Sequence, residues 1–480
     1  MSTLHTRRLD PFRIEIVRTP PMRTTGLVYA NQAIERTLGD ENVLHQVANV
    51  AALPGIIGPS MAMPDIHWGY GFPIGGVAAF SVEDGIISPG GVGYDINCGI
   101  CCILTGMRLA DVRGRLDKLL TALYNHVPAG VGSSNPKLAA TGREFRKVLE
   151  KGAGWAVKKG YVPPSDLEAH EDEGCIEGAD PDAVSGKAVE RGQPQLGTLG
   201  SGNHFLELDV VDLVSDRTTA EGFGLFEDQV VVQVHTGSRG LGHQICDDHV
   251  HAMVAAAARH GISLPDRQLA CAPVRSAEGR EYFGAMACAA NFAFANRELI
   301  VFLIRSAFEQ VFGGSFERLG MRLLFDCCHN IAKLERVVWE GAVIQACVHR
   351  KGATRALPPG DARLPGRFRE TGQPVLVPGD MGRVSYILSG EPGAAETFFS
   401  ACHGAGRLLS RHEAKKRARG RQILEELRRK DIRAMAASRA TLAEEIPEAY
   451  KDVSDVVDTV TGAGIAKAVA RLRPVAMVKG

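Results

Sequence analysis

Val230-Val-Val-Gln-Val-His-Thr-Gly-Ser-Arg-Gly240 runs from a short apolar stretch straight into a polar loop that contains glycine. A run this short and this rich in valine reads as a buried strand rather than a helix. The pattern recurs. Arg322-Leu-Leu-Phe-Asp326 leads into Cys-Cys-His-Asn330, Ala342-Val-Ile-Gln-Ala-Cys-Val348 into His-Arg-Lys-Gly-Ala-Thr-Arg355, and Pro374-Val-Leu-Val377 into Pro-Gly-Asp-Met-Gly382. Loops set on the ends of such strands have a rigid support, which is where chemistry is usually carried. Between the strands, the spacing predicts helices over 109–127, 247–259 and 289–312, and a strongly basic helical segment over 407–439. Strands and helices do not alternate in a βαβ rhythm. The expected fold class is therefore α+β, one large mixed-sheet domain over 1–480 with its active site in loops at strand ends. The stretch 160–191 is polar and acidic (Asp166, Glu168, Glu171, Asp172, Glu173) and predicts a surface excursion.

Composition narrows the class. With 480 residues, 45% hydrophobic and 23% charged, core burial is not limiting. Formal net charge is zero, so a site for a polyanion must be a local patch rather than a whole-molecule field. The eleven cysteines are odd in number and irregularly spaced, which argues against a secreted disulfide framework. The first residues lack the apolar core of a signal peptide. The apolar stretch 299–308 is interrupted by Arg305, so no membrane span is expected. These features predict a cytoplasmic protein with reduced thiols.

Chemistry-bearing residues cluster in the glycine-rich loops. Pro89-Gly-Gly-Val-Gly-Tyr-Asp95-Ile-Asn-Cys98-Gly99 places a carboxylate and a thiol three residues apart, able to reach one metal ion. Taken alone, the pair reads equally well as a glycine turn before a buried free cysteine. Cys101 and Cys102, running into Ile103-Leu104, read as core. His204, His235 and His329 differ from the chain's other histidines in sitting at strand–loop junctions beside Asn, Gly or Thr. Thiolate and imidazole by themselves favour zinc, while a carboxylate and open positions widen the choice to manganese or another first-row ion.

Ser400-Ala-Cys-His403-Gly-Ala-Gly-Arg407 is a second candidate. An imidazole here can attack phosphorus, with backbone N–H groups and Arg407 stabilising the developing charge. The bland reading is a glycine loop that serves geometry only. A basic run follows at once (Arg407, Arg411, Lys415, Lys416, Arg417, Arg419, Arg421), and with Arg350-Lys351 and Arg355 it suits a phosphate backbone. Few aromatics interleave it, so base stacking has little support there. No P-loop occurs, no Gly-x-Gly-x-x-Gly turn, and no Lys-x-Asp-Gly of the kind used by lysine-based nucleotidyl transferases.

These residues resemble the RtcB family of RNA-splicing ligases across nearly the whole chain. The matching blocks are 63–76 (Met-Pro-Asp65-Ile-His-Trp-Gly-Tyr onward), 91–99, Gln195 to Phe205, His235-Thr-Gly-Ser-Arg239-Gly, His329-Asn330, 349–355, 400–407 and the closing Lys479-Gly480. The resemblance implies a GTP- and manganese-dependent ligase that joins RNA 3′-phosphate or 2′,3′-cyclic phosphate ends to 5′-hydroxyl ends. It implies two Mn²⁺ ions bridged by Cys98, with Asp95 and His204 on one and His235 and His329 on the other. His403 is implied to carry GMP, and Asp65 to orient its ring. Asn203, His204, Phe205, Leu206, Glu207, His329, Asn330, Pro378, Gly379, Asp380, Met381, Ser385, His403, Gly404, Ala405, Gly406 and Lys479 are implied to hold GTP. Arg239, Arg350, Arg407 and Arg411 are the candidates for RNA phosphates. An archease-like activator and a monomeric state also belong to this expectation.

One departure stands out. The family's Pro-Gly-x-Met-Gly loop often has a small hydroxyl residue where this chain has Asp380. An anion there helps if the loop meets guanine N–H groups and hinders if it meets phosphates. Two readings of other classes remain beside the ligase: a metal-dependent phosphoesterase that hydrolyses RNA ends, and a non-catalytic RNA-binding protein.

Overall fold

The valine run at 230–234 lies inside the strand Gln229–Thr236, fully buried and central in an eight-stranded sheet. The computed structural model describes residues 4–39 and 41–480, so Met1–Thr3 and Asp40 of the expected 1–480 domain lie outside the described residues. The strand order is Arg322–Cys328, Gly99–Arg108, Gln229–Thr236, Phe205–Val214, Ala466–Lys479, Ser385–Gly390 and Pro374–Val377, with Arg433–Ala436 pairing in parallel beside Ala466–Lys479. All other pairings in this sheet are antiparallel. A second sheet of seven strands ends with Ile56–His67, Ile74–Ser81, Ala342–Lys351 and Asn330–Trp339 in that order. Helices pack around both, which makes the fold α+β as expected.

Register places the site. Gly99 faces Thr236, Ile100 and Phe205 both face His235, and Cys328 faces Gly99. Cys98, His204, His235 and His329 therefore sit at the same end of four adjacent strands. Lys479 faces Phe205 and reaches that end too.

The helix Ala277–Phe312 starts twelve residues earlier than its apolar spacing predicts, at the N-cap Ser276, whose side chain accepts from Gly279 N–H. It is long and apolar enough to cross a membrane, yet 89% of its most apolar window is buried inside the protein. Arg305, the charge that interrupts it, donates to Asp166 at 2.6 and 3.2 Å within the core.

Three expectations are corrected. The helix predicted over 109–127 is two, Leu109–Arg113 and Leu116–His126, broken at Gly114. The basic segment 407–439 is not continuously helical. It holds Arg411–Ala418 and Ile423–Arg429, separated by a turn at Gly420, and then turns at Asp431 into the strand Arg433–Ala436, both turn residues having positive φ. The acidic stretch 160–191 is no mere surface excursion. Asp166 and Glu171 are buried, and Glu171 and Asp172 form ion pairs with Lys333 and Arg355. Carboxylates of this kind enter a core only because basic partners from distant segments meet them there.

Candidate metal centre and nucleotide pocket

Folding brings the dispersed donors together into two groups that share Cys98: Cys98, His235 and His329, and Asp95, Cys98 and His204. In each, one ligand atom per residue lies within 4.8 Å of the others. Cys98 Sγ is 3.4 Å from His204 Nε2 and 3.3 Å from His235 Nε2, and His204 Nε2 is 2.8 Å from Asp95 Oδ2. The Nε2 atoms of His235 and His329 face each other at 3.2 Å. Two neutral rings share at most one proton in that pose, whereas a cation between the donors accepts a lone pair from both. Asp95 Oδ1 is buried without a hydrogen-bond partner, a second sign that the donor set fits a metal. Gly237 allows this approach, since a Cβ there would lie 2.5 Å from Asp95 Oδ1.

The electrostatics suit ligation. Burial, with His204 and His403 nearby, holds His235 well below the ordinary histidine range, and burial acts likewise on His329, so both rings are neutral. Burial alone would raise Asp95, but His204 beside it outweighs that and takes it down to about 2. Burial and the Asp95 carboxylate push the Cys98 thiol well up, so binding a cation at the thiolate would release a proton.

Beneath the cluster lies a guanidinium that the sequence reading passed over. Arg297 is fully buried on the long helix and donates to Asp326 (2.8 and 2.9 Å), to the carbonyls of Asn97 (2.8 Å) and Thr236 (3.0 Å), and to Asn97 Oδ1 (3.1 Å). One side chain thus ties the residue before Cys98, the residue after His235 and the strand leading to His329.

His403 stands beside this centre, its ring centroid 4.8 Å from that of His329. Asp65 Oδ2 accepts from both the His403 backbone N–H (2.9 Å) and its Nδ1 (2.5 Å). That contact fixes the proton on Nδ1 and leaves Nε2 as the free lone pair. Lys451 Nζ, donating to the carbonyls of Pro64 (3.0 Å) and Ile66 (2.6 Å), holds the strand on either side of Asp65. Gly406, at φ 72°, passes so close that a Cβ would lie 2.2 Å from the Asp65 carbonyl.

The ring opens on a cavity of about 160 Å³. Asn203, Phe205, Glu207, Pro378, Gly379, Asp380, Met381, Gly404, Ala405, Gly406 and Lys479 line it with His403, together with His235. Its wall combines glycine backbone with the cations Lys479, Arg407 and Arg411 and the carboxyl groups of Glu207, Asp380 and Glu445.

A family model for "tRNA-splicing ligase RtcB" matches residues 46–480. The chain belongs to the RtcB family. It is 49% identical over 477 residues to a tRNA-splicing ligase RtcB of Archaeoglobus fulgidus, covering 99% of this chain and 98% of the relative. The corresponding protein of Thermococcus kodakarensis is 50% identical over 476 residues, with the same coverage. An RNA-splicing ligase RtcB of Mycobacterium bovis is 48% identical over 437 residues, 91% of this chain and all of the relative.

Within this RtcB chain, not every expected nucleotide residue reaches the cavity. Leu206 points to the opposite face of its strand and is buried in the core, because side chains alternate along a strand. Ser385 acts on the loop instead, its Oγ accepting from Gly379 N–H at 3.0 Å. Asn330 likewise braces backbone, donating to the Asp95 carbonyl and accepting from Gly352 N–H.

The arginines separate sharply. Arg350 is buried and committed to Glu335, Ser400 and the Phe398 carbonyl, so it is a core ion pair and not an RNA contact. Arg407 spends its donors on Glu445, the Tyr450 hydroxyl and the carbonyls of Glu444 and Leu409, and so frames the cavity. Arg239 and Arg411 line a larger groove of about 1080 Å³ that also contains Asp95, His204 and Arg191. Part of the basic run is neutralised locally, with Lys415 on Glu444 and Arg421 on Glu426 and Glu448. Glu445 and Tyr450 are cavity residues that no motif announced.

Proposed function

We propose that this RtcB-family protein is an RNA ligase that joins a 3′-phosphate or 2′,3′-cyclic phosphate end to a 5′-hydroxyl end, using GTP and manganese. The observation that carries the reading is the free Nε2 of His403, fixed by Asp65 on the wall of a cavity adjoining two donor triads that share Cys98. The relatives' names support RNA as substrate, and eleven free cysteines suit a reducing, cytoplasmic setting.

The residues suggest this sequence. His403 Nε2 attacks the α-phosphorus of GTP, forming a P–N bond as the bond to the bridging oxygen breaks and pyrophosphate leaves. An RNA 3′-phosphate oxygen then attacks the same phosphorus, the P–N bond breaks, and the RNA carries GMP through a pyrophosphate link. Finally the 5′-hydroxyl oxygen, losing its proton, attacks the RNA phosphorus and GMP departs. A cyclic end is first opened by water to the 3′-phosphate. Cations held by Asp95, Cys98, His204, His235 and His329 would supply Lewis-acid stabilisation of phosphate oxygens. Asp65 keeps the His403 tautomer throughout. Burial, with Asp209 beside it, pushes the Glu207 carboxyl up, which leaves it able to hydrogen-bond a neutral base edge.

GTP labelled on the α-phosphate, incubated with protein and Mn²⁺, tests the reading. An acid-labile, alkali-stable adduct on the wild type and none on His403→Ala is expected. No adduct with any divalent cation would sink it, and phosphate release from RNA ends without joining would favour a phosphoesterase.

A further inference from the structure

The groove beside Asp95 has an aromatic side that no sequence run discloses. His243, in the second turn of the helix Arg239–Arg259, is exposed and lines the groove. The Tyr94 ring lies behind it with centroids 4.8 Å apart and planes tilted by 37°, and Tyr70 meets Tyr94 edge-on at 5.6 Å and 72°. Both tyrosines are half-buried, so they stiffen the stack while the histidine ring keeps a free surface. Tyr94 is the neighbour of Asp95, itself a member of one donor triad, and the same groove is lined by Arg239, held by Thr198, Ser133 and the Gly130 carbonyl, and by the exposed Arg411, 3.6 Å from Glu444. His243 lies more than a hundred residues beyond Tyr70 and Tyr94 in the sequence, and none of the three is in the basic run, which is why that run alone showed no aromatic partner.

From this arrangement we infer that His243, backed by Tyr94 and Tyr70, is a stacking platform for the nucleobase of the RNA nucleotide that bears the reacting 3′-phosphate. The inference rests on the RNA-ligase reading. A ring surface in a groove lined by two arginines and next to a carboxylate of the donor set suits a terminal nucleotide whose phosphate must reach the triads while its base leaves the strand. Unpaired bases are commonly held on Tyr or His faces, with little dependence on base identity. The platform therefore gives end recognition without sequence preference.

The test measures equilibrium binding of short fluorescent RNAs to the full chain in Mn²⁺ without GTP, so that no turnover occurs. The RNAs carry a 3′-phosphate and differ in having a base or an abasic sugar at the last nucleotide. Wild type is expected to bind the abasic RNA about tenfold more weakly. His243→Ala should bind the intact RNA about tenfold more weakly and lose nothing further with the abasic RNA. His243→Phe should restore the base-dependent difference. Equal binding of both RNAs by wild type would overturn the platform. So would an undiminished abasic loss in His243→Ala, or a loss seen only with an abasic 5′-hydroxyl strand. The labelled-GTP adduct on wild type is scored separately: its absence alongside base-dependent binding defeats the ligase reading and leaves the platform, and the reverse pattern does the opposite.

Discussion

Cys98, His204, His235 and His329 hang from the ends of four adjacent strands, whereas the cavity beside them, floored by Phe205, Glu207, His235 and Lys479 of the strands, takes its remaining walls from residues 378–381, 403–407 and 445–450. The strand side is braced from below by buried, fully committed groups: Arg297 on Asp326, Asn97 and Thr236, and Glu171 accepting from Cys328 N–H. The loop side is braced by ion pairs that partly meet solvent, such as Arg407 with Glu445 and Arg383 with Asp380. Cation ligands must keep their spacing to a few tenths of an ångström, and a buried network that is costly to break provides that. A nucleotide that enters and leaves needs walls that can shift. The same chain uses expensive charges where geometry must not move and cheap ones where it must.

The comparison breaks most completely at the shared thiol. Cys98→Ser removes the donor common to both triads, so metal stoichiometry measured on the dialysed protein should fall towards zero and adduct formation should vanish. His204→Ala and His329→Ala each disturb one triad and should each retain about one ion. A Cys98→Ser protein that keeps both ions would remove the thiol from the centre.

Next comes the brace. Arg297→Met leaves Asp326 buried without its partner and should cost about 3–5 kcal/mol of stability, read as a lowered denaturant midpoint. A loss this large is not expected from any loop-side pair. If Arg407→Met costs as much, the two sides are not built differently.

A titration sharpens the same contrast. Burial would depress His170, but the Glu298 carboxylate at 2.9 Å from Nε2, with Asp326 at 3.6 Å, outweighs it and holds the imidazolium up to about 9. The folded value exceeds the ordinary 6.5, so this contribution is fully present below pH 6.5 and is lost as pH rises towards 9. Wild-type melting temperature should fall across that window, and His170→Gln should flatten the profile. An equal alkaline decline in the variant would place the titrating group elsewhere.

The candidate metal donors were legible in the sequence because each sits where a glycine loop meets an apolar strand, a local signal. Sequence reading reached His403 as a nucleophile candidate through its own glycine loop, and Asp65 only through the family's motif blocks. It passed over Arg297 and Glu298, which border the apolar stretch 299–308, although a charge amid a long apolar face is itself a sign of a buried partner. The partners were out of sight: Asp326 for Arg297, and Lys333 and Arg355 for the acidic stretch at 171–172. Glu445 and Tyr450 escaped for the same reason, since their role depends on Arg407 nearly forty residues away. Secondary-structure boundaries drifted where caps decide them, as at Ser276, whose side chain begins the long helix well before its apolar stripe becomes evident.

Asp380 gives the smallest and most discriminating effect. Its carboxylate is buried, accepts from Gly382 N–H at 3.0 Å and pairs with Arg383, which also donates to the carbonyls of Pro447 and Tyr450. Burial pushes the carboxyl up while Arg383 opposes this, so the anion that sequence reading set against a phosphate is already compensated within its own loop. Asp380→Ser leaves Arg383, partly exposed and still holding two carbonyls, at little cost, of about 1 kcal/mol or less. The KM for GTP in adduct formation should then change by less than about threefold, the discrimination against ATP staying as in wild type. A large rise in KM with discrimination lost would mean that the carboxylate reads the guanine edge, and that this wall is as exacting as the metal side. A fall in KM of similar size would mean that the anion faces the phosphates after all, with Arg383 neutralising it only in part.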